Sequence, residues 1–196
     1  MIAADIEVRP ANPADRDALA AALARAFYDD PVTIWANPGE RLRMGRTRRF
    51  FEGRLMALVP HDMSWSTAGC EAAAVWSPPD AWEVGMRELL HDLPALLSWR
   101  TPRVARGMHE VEKRHPAEAH YYLSILGVDP PLQGQGVGSR LIAPMLRRCD
   151  VEGVGAYLET ATEDNVRFYS RHGFRVRDEV DLPRGPRMWL MWRDPR

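Results

Sequence analysis

Three glycines at alternate positions, Gly134, Gly136 and Gly138, stand in the segment Val128-Asp129-Pro130-Pro131-Leu132-Gln133-Gly134-Gln135-Gly136-Val137-Gly138-Ser139-Arg140. They follow an apolar run and open a stretch with helical periodicity. Without Cβ atoms the backbone there is open to close approach by a ligand. Free N–H groups of the turn and the first helical turn would meet that ligand at the positive end of the helix dipole. Such a place suits a pyrophosphate, and Arg140 adds charge. A dinucleotide fingerprint needs a third glycine where Ser139 stands, and a nucleotide-triphosphate loop needs a lysine that is missing. The spacing present is Gln-x-x-Gly-x-Gly, on Gln133, Gly136 and Gly138.

The rest of the chain must position that loop. Ile6–Pro10 reads as a strand. Asn12, Pro13 and Asp15 supply an N-cap, a first-position proline and a first-turn acid for a helix running to Phe27. Tyr28-Asp29-Asp30-Pro31 stops it. A second helix is expected over Gly39–Leu58, with Met44, Phe51, Leu55 and Leu58 as its buried stripe. Two strands, Met63–Ala68 and Glu71–Trp76, are joined by a turn in which Gly69 takes positive φ. Two helical stripes come next: Trp82, Met86, Leu89, Leu93 and Leu96, kinked at Pro94, then Val104, Met108 and Val111, with Pro102 between them. Tyr121–Val128, apolar on both faces, reads as a central strand. After the glycine-rich turn come a helix, a strand Gly155–Thr160 and a helix Glu163–His172 closed by Gly173. Strands Phe174–Val180 and Met188–Met191 end the chain. This order implies an α/β, or α+β, mixed sheet in one domain over residues 1–196, with a helical insertion at about 80–115 before the central strand.

Composition narrows the function. The chain has 196 residues, 45% hydrophobic and 27% charged, with a net charge of −1. That balance suits a globular domain and argues against a nucleic-acid or membrane partner. Arg41, Arg43, Arg46, Arg48, Arg49 and Arg54 share one helix but are spread around it, as on a solvated face. Cys70 and Cys149 match no disulfide framework or metal-ligand spacing, so no metal is expected. Met1–Pro10 lacks a secretory pattern and no run reaches a membrane span, so a cytoplasmic protein is expected. A homodimer is left open.

The Gln-x-x-Gly-x-Gly loop after a strand ending Val-x-Pro resembles the acyl-CoA loop of the GNAT superfamily of N-acetyltransferases. A second block, Asn165-Val166-Arg167-Phe168-Tyr169-Ser170-Arg171-His172-Gly173-Phe174, is similar to that family's Asn…Tyr-x-x-x-Gly-Phe segment. The patterns Leu126-Gly127-Val128, Leu158-Glu159-Thr160, Gly185-Pro186-Arg187, Ala26-Phe27 with Asp29 and Pro31, and Ala74-Val75-Trp76 are further similar to the puromycin N-acetyltransferases within it. The resemblance implies acetyl-CoA as co-substrate. It would be held by Leu126, Gly127, Val128, Gln133, Gly134, Gln135, Gly136, Val137, Gly138, Ser139, Arg140 and Asn165. It also implies backbone N–H groups near Leu126–Val128 as oxyanion donors and Tyr169 as the general acid.

Amide formation from a thioester requires the acceptor to lose a proton and the departing thiolate to gain one. A phenol near pKa ~10 is protonated at neutral pH, so Tyr169 can donate. Glu159 points to the opposite strand face from Leu158 and Thr160; if that face lines the cleft it can orient the amine or take its proton through water, and otherwise it is a solvated charge. His120 is an alternative base. Tyr28, Trp35, Trp76 and Tyr121 are expected as stacking faces for the acceptor, with Asp29 and Asp30 drawing its ammonium. The expected reaction is acetyl transfer to the primary amine of a small molecule, by direct attack in a ternary complex. Acetylation of a protein N-terminus or lysine, or an acyl-CoA sensor without turnover, are the alternatives.

Overall fold

A computed structural model of the chain describes residues 6–79 and 101–196. The strands are β1 (Val8–Pro10), β2 (Trp65–Thr67), β3 (Ala72–Ser77), β4 (His120–Val128), β5 (Gly155–Thr160), β6 (Arg175–Asp181) and β7 (Arg187–Arg193). The helices are α1 (Arg16–Ala26), α2 (Pro31–Ala36), α3 (Glu40–Leu58), α4 (Thr101–Glu112), α5 (Val137–Glu152) and α6 (Glu163–Arg171). The seven strands form one sheet in the order β1-β2-β3-β4-β5-β7-β6, with only β4 and β5 parallel. No helix among the described residues is long and apolar enough to cross a membrane.

The chain start follows the residue signals. Asn12 caps a single 3-10 turn, accepting from Ala14 N, while Asp15 reaches back to Asn12 N. This reciprocal pair satisfies two donors that an unmade first turn leaves free. Two local expectations are corrected. The left-handed residue of the β2–β3 turn is Cys70, with φ +63°, and not Gly69. Met44 is 38% exposed, and Arg43, Thr47 and Arg54 join Phe51, Leu55 and Leu58 on the inner side of α3. The arginines reach polar partners there: Arg43 donates to the carbonyls of Asn37 and Pro38, and Arg54 to Ser124 Oγ. Of the two helical stripes, Val104, Met108 and Val111 lie on α4 against the core. Trp82, Met86, Leu89, Leu93, Leu96 and Pro94 lie outside the described residues.

Both sheet faces are covered. On one, α5 and α6 pack over Trp76, Tyr121, Leu123, Ala156, Leu158 and Met191. On the other, α1 and α3 cover Ala73, Val75 and Ile125. Further along that face, α2 and α4 cover Tyr157, Leu190 and their neighbours.

One irregularity shapes the middle of the sheet. Val75 pairs with Ile125 and Trp76 with Leu123, so Ser124 is an extra residue in β4. A bulge bends its strand and increases the local twist. Its effect is visible in the side chains, since Leu123 faces α5 while Ile125 faces α1. On its other edge β4 pairs with β5 only at His120–Gly155, Tyr121–Ala156 and Tyr122–Tyr157. Beyond Tyr122 the two strands part. Each stays paired on its outer side, β4 to β3 as far as Val128 and β5 to β7 as far as Thr160. Two strand edges therefore face each other, unpaired to one another, in the centre of the sheet.

Gly127 lies where α1 crosses this parted region. A Cβ there would sit 2.5 Å from Leu23 Cδ2 and 2.9 Å from Phe27 Cε2. Gly127→Ala is therefore expected to destabilise the fold by about 1–3 kcal/mol through overpacking. Urea unfolding should show this as a lowered midpoint with unchanged slope.

Candidate active site

The loop leaving β4 is built to hold its shape without covering itself. A 3-10 turn over Pro130–Leu132 leads to Gln133. Gln133 Nε2 donates to Val128 O, and Gln135 Nε2 to Pro131 O. Arg25 of α1 clamps Asp129 through two nitrogens, fixing the loop's exit from the strand. Gly134 and Gly136 have φ of +73° and +77°, a region that favours glycine, and a Cβ on either would meet nothing within 4 Å. Gly136 is the N-cap of α5 and provides no side-chain cap. The first-turn amides of α5 thus have neither an intrahelical acceptor nor a capping side chain. An open cradle with uncapped amides at a helix N-terminus fits a pyrophosphate.

The other expected cofactor residues divide by task. Val137 is buried in the core beneath the loop. Gly138 lies under α6, where a Cβ would come to 3.3 Å from Phe168 Cζ, so its missing side chain serves helix packing. Ser139 Oγ is 2.9 Å from His172 Nε2. Arg140 reaches toward Ile6 O at 3.4 Å. Asn165 is exposed in the first turn of α6, which Thr162 caps. Leu126, Gly127 and Val128 lie on the parted stretch of β4.

Tyr169 reaches the centre of the sheet from α6. Its ring packs against Phe168 and Phe174, at centroid distances of 5.1 and 5.8 Å. Its hydroxyl has no hydrogen-bond partner among the described residues. Burial alone pushes its pKa above the ordinary phenol value. The group therefore holds its proton at neutral pH.

On the opposite face β5 presents Glu159, surrounded by a buried polar cluster. Tyr122 Oη donates to Glu159 Oε2 at 2.6 Å. His115 Nδ1 lies 3.8 Å from Glu159 Oε1. His115 Nε2 and His120 Nε2 are 2.9 Å apart, and His120 Nδ1 is 2.6 Å from the carbonyl of Glu118. The Tyr157 hydroxyl is buried without a hydrogen-bond partner among the described residues. Burial, with the neighbouring Glu159 charge, raises both the Tyr122 and Tyr157 pKa. Burial also lowers that of His120.

Several expected acceptor contacts are corrected. Trp76 is fully buried in the core under α5. Tyr121 faces the same helix and donates to Glu152 at 2.5 Å. Trp35 is buried between α4 and the β6–β7 turn, its Nε1 donating to Pro183 O. All three do core work, because strand parity and helix packing turn them inward. Asp30 caps α2, accepting from Val32 N and Thr33 N, and burial raises its pKa. Tyr28 lies under the Arg43 guanidinium at 4.9 Å, and Asp29 is exposed beside it. His115, Tyr122 and Tyr157 were not expected at the site. The two tyrosines could have been found from strand parity, since residue 157 shares the face of residue 159. His115 follows a helix end and carries no periodic signal.

The acetyltransferase (GNAT) family model matches residues 62–174. An uncharacterized N-acetyltransferase of Schizosaccharomyces pombe is 26% identical over 180 residues, covering 84% of this chain and 72% of the relative. Among solved structures, a histone acetyltransferase HPA2-related acetyltransferase from Corynebacterium glutamicum superposes with a TM-score of 0.70 at 22% identity, covering 97% of both chains. A polyamine N-acetyltransferase of Drosophila melanogaster that forms N-acetylagmatine superposes with a TM-score of 0.68 at 18% identity, covering 97% of this chain and 100% of that one.

The loop geometry separates backbone from side-chain recognition. Gly136→Val places a branched side chain at positive φ in the open cradle, and is expected to abolish measurable acetyl-CoA binding. Arg140→Ala removes one exposed charge, worth at most about 1 kcal/mol, or about fivefold in affinity. Titration calorimetry with acetyl-CoA on both variants reads this difference.

Proposed function

The chain belongs to the acetyltransferase (GNAT) family, and from that membership we propose that it acetylates the primary amine of a small molecule by direct attack in a ternary complex. Acetyl-CoA, when bound, supplies the thioester carbonyl carbon that the amine attacks. The observation that carries the reading is the parting of β4 and β5 between two groups of opposite duty, a protonated phenol on one face and a carboxylate on the other.

The residues then have separable tasks. The loop Gln133–Ser139 and the first turn of α5 bind the pyrophosphate through N–H groups. The free edge of β4 at Leu126–Val128 offers backbone donors toward an oxygen that gains charge. Glu159 accepts the proton an ammonium must lose before its nitrogen can attack. Tyr122, by donating to Oε2, fixes the carboxylate's orientation. Tyr169 keeps its proton until a thiolate develops, then gives it up.

The acceptor reading changes with the geometry. Trp35, Trp76 and Tyr121 no longer supply stacking faces. Tyr28 and the exposed Asp29 at the α1–α2 turn remain, an aromatic ring and a single carboxylate suited to a small monocationic amine with an apolar portion. The residue patterns that resemble those of puromycin N-acetyltransferases favour the same class, and the Drosophila neighbour is itself an enzyme that forms N-acetylagmatine, the product of a small amine. Thiol release from acetyl-CoA is the test, with puromycin-like amines, arylalkylamines, agmatine, polyamines and peptide N-termini compared. Turnover with small monoamines is expected; turnover with peptides alone would overturn the reading. On the best acceptor, Tyr169→Phe is expected to lower kcat about 10²-fold, with acetyl-CoA affinity unchanged. Wild-type turnover in this variant would remove Tyr169 from the chemistry.

A further inference from the structure

Resting on the loop Gln133–Ser139 as the pyrophosphate site, we propose that His172 is a positioning residue for the cofactor: its Nε2 hydrogen is donated to Ser139 Oγ, which turns the Ser139 hydroxyl hydrogen toward the phosphate held by the loop.

The place of the pair is the first ground. Ser139 is the third residue of α5, in the same turn as the amides that no side chain caps. Its Oγ lies 2.9 Å from Nε2 of His172, the residue that closes α6. The imidazole is held from several directions. Its ring packs on Phe168 at a centroid distance of 4.9 Å. Its backbone N–H donates to Tyr169 O at 2.9 Å, and its carbonyl accepts from Arg193 Nε at 3.1 Å. The contact therefore ties the loop to the helix that carries Tyr169.

A count of hydrogens is the second ground. A serine hydroxyl has one hydrogen and two lone pairs, and a neutral imidazole has one N–H and one bare nitrogen. At 2.9 Å one hydrogen lies between Oγ and Nε2. If it is the serine's, the hydroxyl shows only lone pairs to the loop. If it is the imidazole's, the serine keeps its own hydrogen to give. The oxygens of an ionised pyrophosphate only accept, so the second arrangement alone bonds them, and that bond is charge-assisted. A phosphate on the loop therefore selects the Nε2–H form of His172. In a neutral ring the change moves one proton from Nδ1 to Nε2 through water, with no net uptake.

Charge links the pair to pH. Burial, with Arg171 of α6 and Arg193 of β7, lowers the His172 pKa, so the ring is neutral at pH 7. Asp150 of α5 is taken up by Arg193, and the Arg196 guanidinium lies against Gly173. An imidazolium also carries a hydrogen on Nε2, and an anion nearby stabilises its charge. A bound phosphate thus raises the His172 pKa. By linkage, affinity rises as pH falls through the pKa of the free protein.

Titration calorimetry with dephospho-coenzyme A is the test, because this probe keeps the pyrophosphate and lacks the 3′-phosphate that titrates near pH ~6. At pH 7.5 Ser139→Ala is expected to bind about tenfold more weakly and His172→Phe about threefold. His172→Gln, whose amide donates without titrating, is expected to restore binding to within about twofold. From pH 7.5 to pH 5 the unmodified protein is expected to bind about fivefold more tightly, with both His172 variants flat. A flat profile in the unmodified protein, or an equal slope in His172→Phe, overturns the proposal and leaves the loop assignment standing. No binding by the unmodified protein overturns the loop assignment and the proposal with it. Imidazole 15N shifts give a second readout that needs no variant. With the probe bound at pH 7.5, a neutral His172 protonated on Nε2 is expected, and a bare Nε2 overturns the proposal.

Discussion

The site depends on β4 and β5 ceasing to pair after Tyr122. A parallel pair inside a covered sheet ordinarily continues to its ends, because each unmade ladder bond leaves buried polar groups without partners. Here Ser124 prevents that. The extra residue shifts the register against β3 and bends β4 away from β5, while the antiparallel partners β3 and β7 hold each strand in place from outside. The result is a pair of backbone edges able to hydrogen-bond an extended chain lying between them. The acyl-carrying arm of acetyl-CoA is such a chain, with its pyrophosphate end suited to the cradle at the β4–α5 loop. Arg54 bonds Ser124 from α3, so the bulge is fastened by a helix on the far face.

The two faces of the sheet then divide the chemistry. Under α5 and α6 the environment is apolar, and burial keeps Tyr169 protonated. Under α1, α3 and α4 the sheet carries a carboxylate, two imidazoles and two phenols in mutual contact. Buried polar groups are costly unless partnered, and nearly every member here has a partner. The separation keeps a buried phenol and a carboxylate on opposite faces of the sheet.

Much of this was legible in the residues and some was not. The glycine loop, the strand before it and the Asn165–Phe174 block fall where their spacing put them, because glycine placement and helix caps are local signals. Glu159 was assigned to the face opposite Leu158 by strand alternation, and it lies there. The bulge was not legible, since a single serine in an apolar strand carries no signature. It also flips the parity of the later β4 residues. Trp35, Trp76 and Tyr121 were read as open stacking faces, yet a tryptophan at a cleft and one in a core have the same composition around them. Asp30, read as bait for an ammonium, is a helix cap because α2 was missed. The His115–His120 contact joins a loop to a strand and exists only in three dimensions.

A crystal structure of the protein with coenzyme A tests the central claim most directly. The account predicts the pantetheine arm lying between β4 and β5, hydrogen-bonded to the backbone of Leu126–Val128, with its sulfur at the Tyr169 hydroxyl and its pyrophosphate on the amides of Gly134–Ser139. A cofactor bound elsewhere, or one whose sulfur ends away from Tyr169 with β4 and β5 closed against each other, would contradict it.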